Sequence, residues 1–268
     1  MIELLKQRFT PDMSNEEKIN QTREFLQILA LKIMYDKKYL NNLAFVGGTA
    51  LRLLFNLRRF SEDLDFSLIN KDGYNFIKIN SQLERELKLY GLNVETKVKL
   101  DRTVNNTFLK FSGLLKNLGL SSLDEQKLSI KIEVDVNPPN GWDTETTLIN
   151  KIYIINLVHF DLPSLYASKL HACFFRKYIK GRDYYDLVWY IGKKIKPNYM
   201  LLNNAIKQTE GYDLKLNSQN FNDFLLSKLA KINFTKIKKD VERFLEDRTE
   251  LKFLEFDVIK RALTTYNK

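Results

Sequence analysis

The residues with the clearest chemical potential are Asp63 and Asp65, in the stretch Ser61-Glu62-Asp63-Leu64-Asp65-Phe66. The segment DLDFSLI reads as a strand, and alternate residues of a strand share one face, so the two carboxylates point the same way with Cα atoms ~6.5–7 Å apart. Two like charges so placed call for a cation between them. A hard, oxygen-preferring divalent ion answers that need: Mg²⁺, with Mn²⁺ as the alternative, keeps coordination positions for water and phosphate oxygens. Upstream, an apolar run from Leu43 to Val46 breaks at Gly47-Gly48, and Thr49 starts a helical pattern. Such a turn offers backbone approach without Cβ obstruction, N–H groups at a helix N-terminus and a hydroxyl, all suited to phosphate oxygens. A D-x-D pair alone is usually a solvated strand edge, and a lone Gly-Gly is usually a tight turn. Joined in the order strand, Gly-Gly-Thr, helix, Ser-Glu-Asp-Leu-Asp, with thirteen residues between Thr49 and Asp63, they are far more specific.

Two other stretches carry charge where the pattern is otherwise apolar. KIEVDV puts Lys131, Glu133 and Asp135 on one strand face and Ile132, Val134 and Val136 on the other. Lys169 lies among Leu165, Leu170, Cys173 and Phe174 on a helix, so its ammonium must reach a pocket, a carboxylate or solvent. His171 reads as a helix-surface or supporting residue and Cys173 as a small core residue.

These residues must be held by an α+β chain. A capping-box pattern, Ser14 followed by Glu17, opens a long amphipathic helix to Tyr39. After the strand-turn-helix-strand unit come a helix over Asp72–Tyr90 and strands over Leu92–Leu100, Thr107–Leu114 and Leu128–Val136. A turn-rich break, Asn137 to Gly141, leaves one more short apolar run, Tyr153 to Val158. From there the pattern is helical over 163–179, 183–195, 198–209, 217–230, 234–247 and 250–266. The expected organisation is a mixed-sheet domain over residues 1–160 and an all-helical domain over 161–268 that completes the site, with the nucleotide between them.

Composition bounds the partners and the chemistry. The 268 residues carry 43 Lys+Arg against 33 Asp+Glu, a net charge of +10, which suggests an anionic partner. One Cys and two His exclude an internal disulfide framework and a Cys/His zinc site within one chain, and make a Ser-His-Asp triad a poor reading. No apolar run approaches the ~18 residues of a membrane span, and the charged N-terminus is no secretory signal, so a cytoplasmic protein without membrane contact is expected.

GGTALR followed by RFSEDLDF resembles the signature of the AbiEii/AbiGii family of toxin nucleotidyltransferases, within the DNA polymerase β-like nucleotidyltransferase superfamily, and is similar to the MenT toxins. LPSLYASKLHACFFRKYIKGRDYYDLVWYI, residues 162 to 191, is similar to the family's later pattern, a helix with a Lys and then an Arg-Asp-x-x-Asp-Leu helix start. The matching segments cover about a fifth of the chain. The resemblance implies a nucleotidyltransferase-fold sheet domain followed by helices. It implies that Asp63 and Asp65 bind the metals, with Gly47, Gly48, Thr49 and Ser61 near the triphosphate. Lys169 and Asp186 match residues needed for activity, with Arg182 and Asp183 beside them. Either Asp183 or Asp186 could face the nucleotide, because KYIKG lengthens the interval after the Lys. Either Glu133 or Asp135 could be the third carboxylate, acting as general base or metal bridge, with Glu133 favoured. The implied reaction is transfer of NMP from an NTP to an RNA acceptor, a tRNA 3′ end by likeness to MenT. The implied role is a toxin of a toxin-antitoxin or phage-defence pair opposed by a cognate antitoxin. A metal-dependent nuclease and a non-catalytic RNA-binding module are the rival readings.

The basic residues recur as Arg52, Arg58 and Arg59, as Arg176, Lys177, Lys180 and Arg182, as Lys193, Lys194 and Lys196, and as a run from Lys228 to Arg243. For the two clusters around residues 176–196, phosphate-backbone contact is expected, with Tyr178, Tyr184 and Tyr185 available to stack on bases. The last run reads at least as well as a solvated helix surface.

Overall fold

The computed structural model describes residues 1–123 and 125–265. The chain begins with α1 (Ile2–Lys6) and α2 (Asn15–Asp36), followed by β1 (Leu43–Val46), α3 (Gly47–Phe55), β2 (Asp63–Leu68) and α4 (Phe76–Leu89). Then come β3 (Val94–Lys99), β4 (Val104–Phe111), α5 (Leu114–Asn117), β5 (Leu128–Asp135), β6 (Thr144–Asn150) and β7 (Ile154–Phe160). The helices α6 (Leu162–Phe175), α7 (Gly181–Gly192), α8 (Tyr199–Glu210), α9 (Phe221–Leu229), α10 (Phe234–Val241) and α11 (Phe256–Thr265) complete it, with short 3-10 segments at Glu242–Phe244 and Arg248–Phe253. The fold is mixed α+β. The last residue of the helix expected over 250–266 lies outside the described residues.

Two compact units are present. One comprises Met1–Phe55, Phe60–Pro138 and Glu145–His159; the other comprises Asn56–Arg59, Pro139–Thr144 and the segment from Phe160 onward. The first is built on a seven-stranded sheet in the order β3-β4-β5-β2-β1-β7-β6. β1 and β2 are antiparallel, β2 and β5 parallel, and β3, β4 and β5 antiparallel in succession. Leu64, Phe66, Leu109, Phe111, Ile130, Ile132 and Val134 occupy one face of this sheet and are fully buried. That face receives α2 and α4, as the alternation of apolar residues in β2, β4 and β5 requires.

The long helix α2 departs from expectation in its second half. Its capping box forms: the Glu17 N–H donates to Ser14 Oγ (3.2 Å) and the Ser14 N–H to Glu17 Oε2 (2.7 Å). From Phe25 to Leu31, however, every residue is buried, so the helix is enclosed rather than amphipathic there. That enclosure forces Gln27 to find internal partners. β6 was not anticipated, because it is a largely exposed strand in which only Ile149 is buried.

In the helical unit, α6 is capped by Asp161, whose Oδ1 accepts from the Ser164 N–H (2.9 Å), and has Pro163 in its first turn. It ends at Phe175 rather than 179, because Arg176 is extended. The next helix starts at Gly181, earlier than the expected 183. There α10 packs so closely that a Cβ would lie 2.5 Å from the Ile237 carbonyl oxygen. The Gly181 N–H donates to Asp240 Oδ2 (2.5 Å), which satisfies one exposed donor of α7.

Candidate active site

The sheet register brings the acidic residues together. β2 and β5 run parallel with Asp63 opposite Lys131, Asp65 opposite Glu133 and Ser67 opposite Asp135. Cross-strand partners share a face, so Asp63, Asp65, Glu133 and Asp135 all project from the side away from α2 and α4. Asp63 and Asp65 are half-buried, as are Glu133 and Asp135. Val46 of β1 lies opposite Asp65, which places the following Gly47-Gly48 turn beside that carboxylate. Gly47 has φ +79°, and a Cβ there would stand 2.9 Å from Asp65 Cγ and closer still to Oδ2. The turn therefore forms a cradle under the Asp65 carboxylate that only glycine can form.

Two polar side chains hold the D-x-D strand in place. The Thr49 hydroxyl, fully buried, donates to the Asp63 carbonyl oxygen. This differs from the expectation that Thr49 offers its hydroxyl to phosphate. Its donor is engaged by the backbone, and it acts by positioning Asp63. Gln27 Nε2 donates to the Ser61 carbonyl oxygen at 3.1 Å and reaches the Asp63 carbonyl oxygen at 3.5 Å. Ser61 itself is buried at the entry to β2. Gln27 was invisible to sequence reasoning; a Gln inside a run of apolar helix residues is the one signal that could have marked it.

The third carboxylate is favoured by placement. Glu133 is the register partner of Asp65, and Lys131 Nζ donates to its Oε1 (2.6 Å). Asp135 lies one pair further on and accepts from the Asn137 N–H (2.9 Å), and burial pushes its carboxyl above the usual range despite that bond. Among the described residues no group of three or more carboxylate, His or Cys side chains is placed to hold a metal ion. A pair of carboxylates beside a phosphate-sized turn nevertheless fits Mg²⁺, which is commonly bound by one or two carboxylates plus substrate phosphates.

The later motif forms a separate cluster, inside the helical unit. Lys169 Nζ lies 2.7 Å from Asp183 Oδ1 and 2.8 Å from Asp186 Oδ2. Asp186 is also gripped from its other side by Arg59, whose Nε and Nη2 donate to its two oxygens at 2.6 Å each. Arg176 Nη1 donates to Asp183 Oδ2 (3.0 Å). Asp186 and Arg59 are almost wholly buried, and Arg176 is the member that reaches the surface. Burial alone would push the Lys169 ammonium down, but Asp183 and Asp186 outweigh it and hold it above the ordinary lysine range. Burial would likewise raise Asp183, yet Lys169 and Arg176 hold it below the usual carboxylate range. Three cations against two carboxylates leave this cluster with one net positive charge.

Both Asp183 and Asp186 therefore meet Lys169, and the lengthened KYIKG interval does not exclude either. Arg59 is the member that sequence reasoning named only among the basic residues beside the active-site helix. Its position two residues before Ser61 in RFSEDLDF was the available signal. Arg182 lies over the Phe244 ring, 4.4 Å from the centroid.

Two expected base-stacking contacts are corrected, and other polar residues prove internal. Tyr184 and Tyr185 are buried: the Tyr184 hydroxyl donates to the Cys173 carbonyl oxygen (2.9 Å) and the Tyr185 hydroxyl to Glu250. Neither can stack on a base, whereas Tyr178 is exposed. Arg52 is buried, paired with Glu24, and lies over the Phe60 ring, so it and Arg59 are internal. His171 pairs with Thr209 (2.9 Å) and burial pushes its imidazole down. A cavity of about 460 Å³ in the helical unit, lined by Tyr185, Trp189, Glu250, Leu254 and Ile259 among others, contains none of the predicted catalytic residues.

Comparison with known proteins decides the family. Residues 30–262 match the model of the family described as nucleotidyl transferase AbiEii toxin, type IV TA system. The chain belongs to this family. No curated protein matches it. Among solved structures it is similar to JHP933 from Helicobacter pylori, at 18% identity over 92% of this chain and 94% of that chain, with a TM-score of 0.48. It is also similar to a candidate nucleotidyltransferase from H. pylori, at 19% identity over 96% and 98% of the two chains, with a TM-score of 0.51, a likeness of fold. As an AbiEii-family member the chain is a nucleotidyltransferase toxin of a type IV toxin-antitoxin system, which implies an NTP substrate, a divalent metal and an antitoxin partner. No helix among the described residues is long and apolar enough to cross a membrane.

Proposed function

We propose that this AbiEii-family toxin transfers NMP from an NTP to the 3′ hydroxyl of an RNA, a tRNA in the first instance, with Mg²⁺ held by Asp63 and Asp65 and pyrophosphate released, in defence against phage. The observation that carries this reading is the register that sets Asp63, Asp65 and Glu133 on one face beside the Gly47-Gly48 turn. A bound divalent ion supplies charge stabilisation to the attacking and leaving oxygens of an in-line displacement. The first N–H groups of α3, which lack intrahelical acceptors, are the donors offered to phosphate oxygens, while Gly47 makes room for the Asp65 carboxylate beside them. Glu133 takes the proton of the acceptor hydroxyl, held ready by Lys131, in preference to the more distant Asp135. The helical unit carries its own net positive cluster, Arg59, Lys169 and Arg176, whose geometry Asp183 and Asp186 fix and whose charge suits an anionic group.

The test is incubation of the protein with total tRNA, Mg²⁺ and each α-labelled NTP in turn. Label on tRNA with one nucleotide is the expected result, lost in Asp65→Asn. Shortened RNA would instead indicate a nuclease, labelled protein a protein-modifying transferase, and no label on any RNA would overturn the acceptor.

A further inference from the structure

We infer that the outward face of β3, β4 and β5 is the track on which a single-stranded RNA acceptor lies as it reaches the carboxylates, with Phe108 as its stacking platform. The inference rests on the RNA-transfer reading for its chemistry, and on the sheet alone for its geometry.

Two cross-strand rows lead from the edge of the sheet to the acidic pair. One runs Lys97, Phe108, Lys131, Asp63; the next runs Lys99, Asn106, Glu133, Asp65. Members of a row share a face, and adjacent strands lie ~4.8 Å apart, so Phe108 stands only two strand spacings, ~10 Å, from Asp63. The neighbours of Phe108 along β4, Thr107 and Leu109, are buried in the core, while Phe108 is exposed at 36%. Phe108 is the aromatic ring that β4 turns to this face, where its strand neighbours are Val104, Asn106 and Lys110.

The charge around this ring selects the occupant. Lys131 Nζ lies 5.7 Å from the Phe108 ring centroid. Lys97 and Lys99 project from the edge strand, both exposed, and no carboxylate among the described residues pairs with either. Lys110 lies next along β4, and the one acid opposite it, Glu95, is bound by Lys127 (2.8 Å). Lysines around a single aromatic ring suit phosphates flanking a stacked base. The same surface suits a protein partner poorly, because the centre of a protein interface is depleted of Lys and richer in apolar area. A duplex keeps its bases stacked internally, so the ring selects an unpaired strand.

The experiment uses the full chain without NTP and a fluorescein-labelled, mixed-sequence single-stranded oligoribonucleotide of about a dozen nucleotides, with anisotropy read across a salt series. Phe108→Ala and Phe108→Leu are expected to weaken binding about 10-fold, and Phe108→Trp to retain it, since Leu keeps apolar area and loses the π face. Lys97→Gln with Lys99→Gln should lower the slope of log affinity against log salt by about 1.4. Mg²⁺-dependent NTP binding and the thermal midpoint should stay at the wild-type values in all of them. Equal affinity in Phe108→Leu and the wild type would overturn the track, as would loss of antitoxin binding in these variants with RNA binding intact. Failure of the two readings is distinguishable. Phe108-dependent RNA binding without nucleotide transfer by the wild type would overturn the transfer reading alone; wild-type transfer by Phe108→Leu would overturn the track alone.

Discussion

The carboxylates of the sheet unit and those of the helical unit are treated oppositely by their surroundings. Asp63, Asp65 and Glu133 are half-buried on one face of the sheet. Asp183 and Asp186 are enclosed and saturated by Lys169, Arg59 and Arg176. A buried ion pair contributes little net stability but is costly to break, so the second arrangement fixes geometry. The first group keeps part of its surface in solvent. The two environments suit different tasks, and we propose that the partly exposed acids ligate while the enclosed ones position.

The contrast can be broken most sharply at Asp65. Asp65→Asn should lower nucleotide incorporation by roughly 10³-fold or more, since metal-centred charge stabilisation supplies several kcal/mol. The thermal midpoint should barely move. An equal loss of stability would place Asp65 in the positioning class. Asp186→Ala should do the reverse first: stranding Arg59 and Lys169 in the interior should cost about 3–5 kcal/mol in denaturant unfolding. Arg59→Met with Asp186→Leu should recover part of that. Stability unchanged in Asp186→Ala would mean the cluster is not closed in solution.

Smaller effects follow from the supports. Gln27→Leu leaves the Ser61 carbonyl without its buried donor and should cost about 1–3 kcal/mol, with incorporation falling as β2 loosens. Thr49→Val should cost about 1 kcal/mol through the lost hydroxyl bond to Asp63, and Thr49→Ser, which keeps that bond, about 1 kcal/mol through its lost buried methyl.

The two regions should also differ in the sign of their pH response. Asp183 is held below its ordinary 3.8, so its contribution is present above that pH and is lost as pH falls through the lower folded value. Asp135 is raised above 3.8, so its ionisation is unfavourable in the folded state. Its cost is absent below 3.8 and grows as pH rises through the folded value. Carboxyl carbon NMR titration reads both directly, and a shift of the same sign at the two residues would contradict the difference in environment.

Much of the site was legible because its signals are local. Alternation in DLDFSLI and KIEVDV set which acids share a face, and the Gly-Gly-Thr turn announced a helix start beside them. Helix ends were less legible: α6 stops at Phe175 where the apolar pattern ran on, because Arg176 turns out to meet Asp183. The tyrosines misled for a related reason. Tyr184 and Tyr185 look like polar aromatics on a basic segment, yet each hydroxyl finds an internal acceptor and the rings are buried.

The sequence by itself determined the α+β class, the D-x-D pair, the outward charged face of β5 and the partnership to be sought for Lys169, since each depends on spacing within one element. Only the tertiary structure decided that Glu133 stands opposite Asp65, that Gln27 and Thr49 brace β2, that Arg59 closes on Asp186, and that Lys97, Phe108 and Lys131 share one row. Those facts are set by strand register and by burial between segments distant in sequence. No periodicity within a segment records which neighbour it will meet.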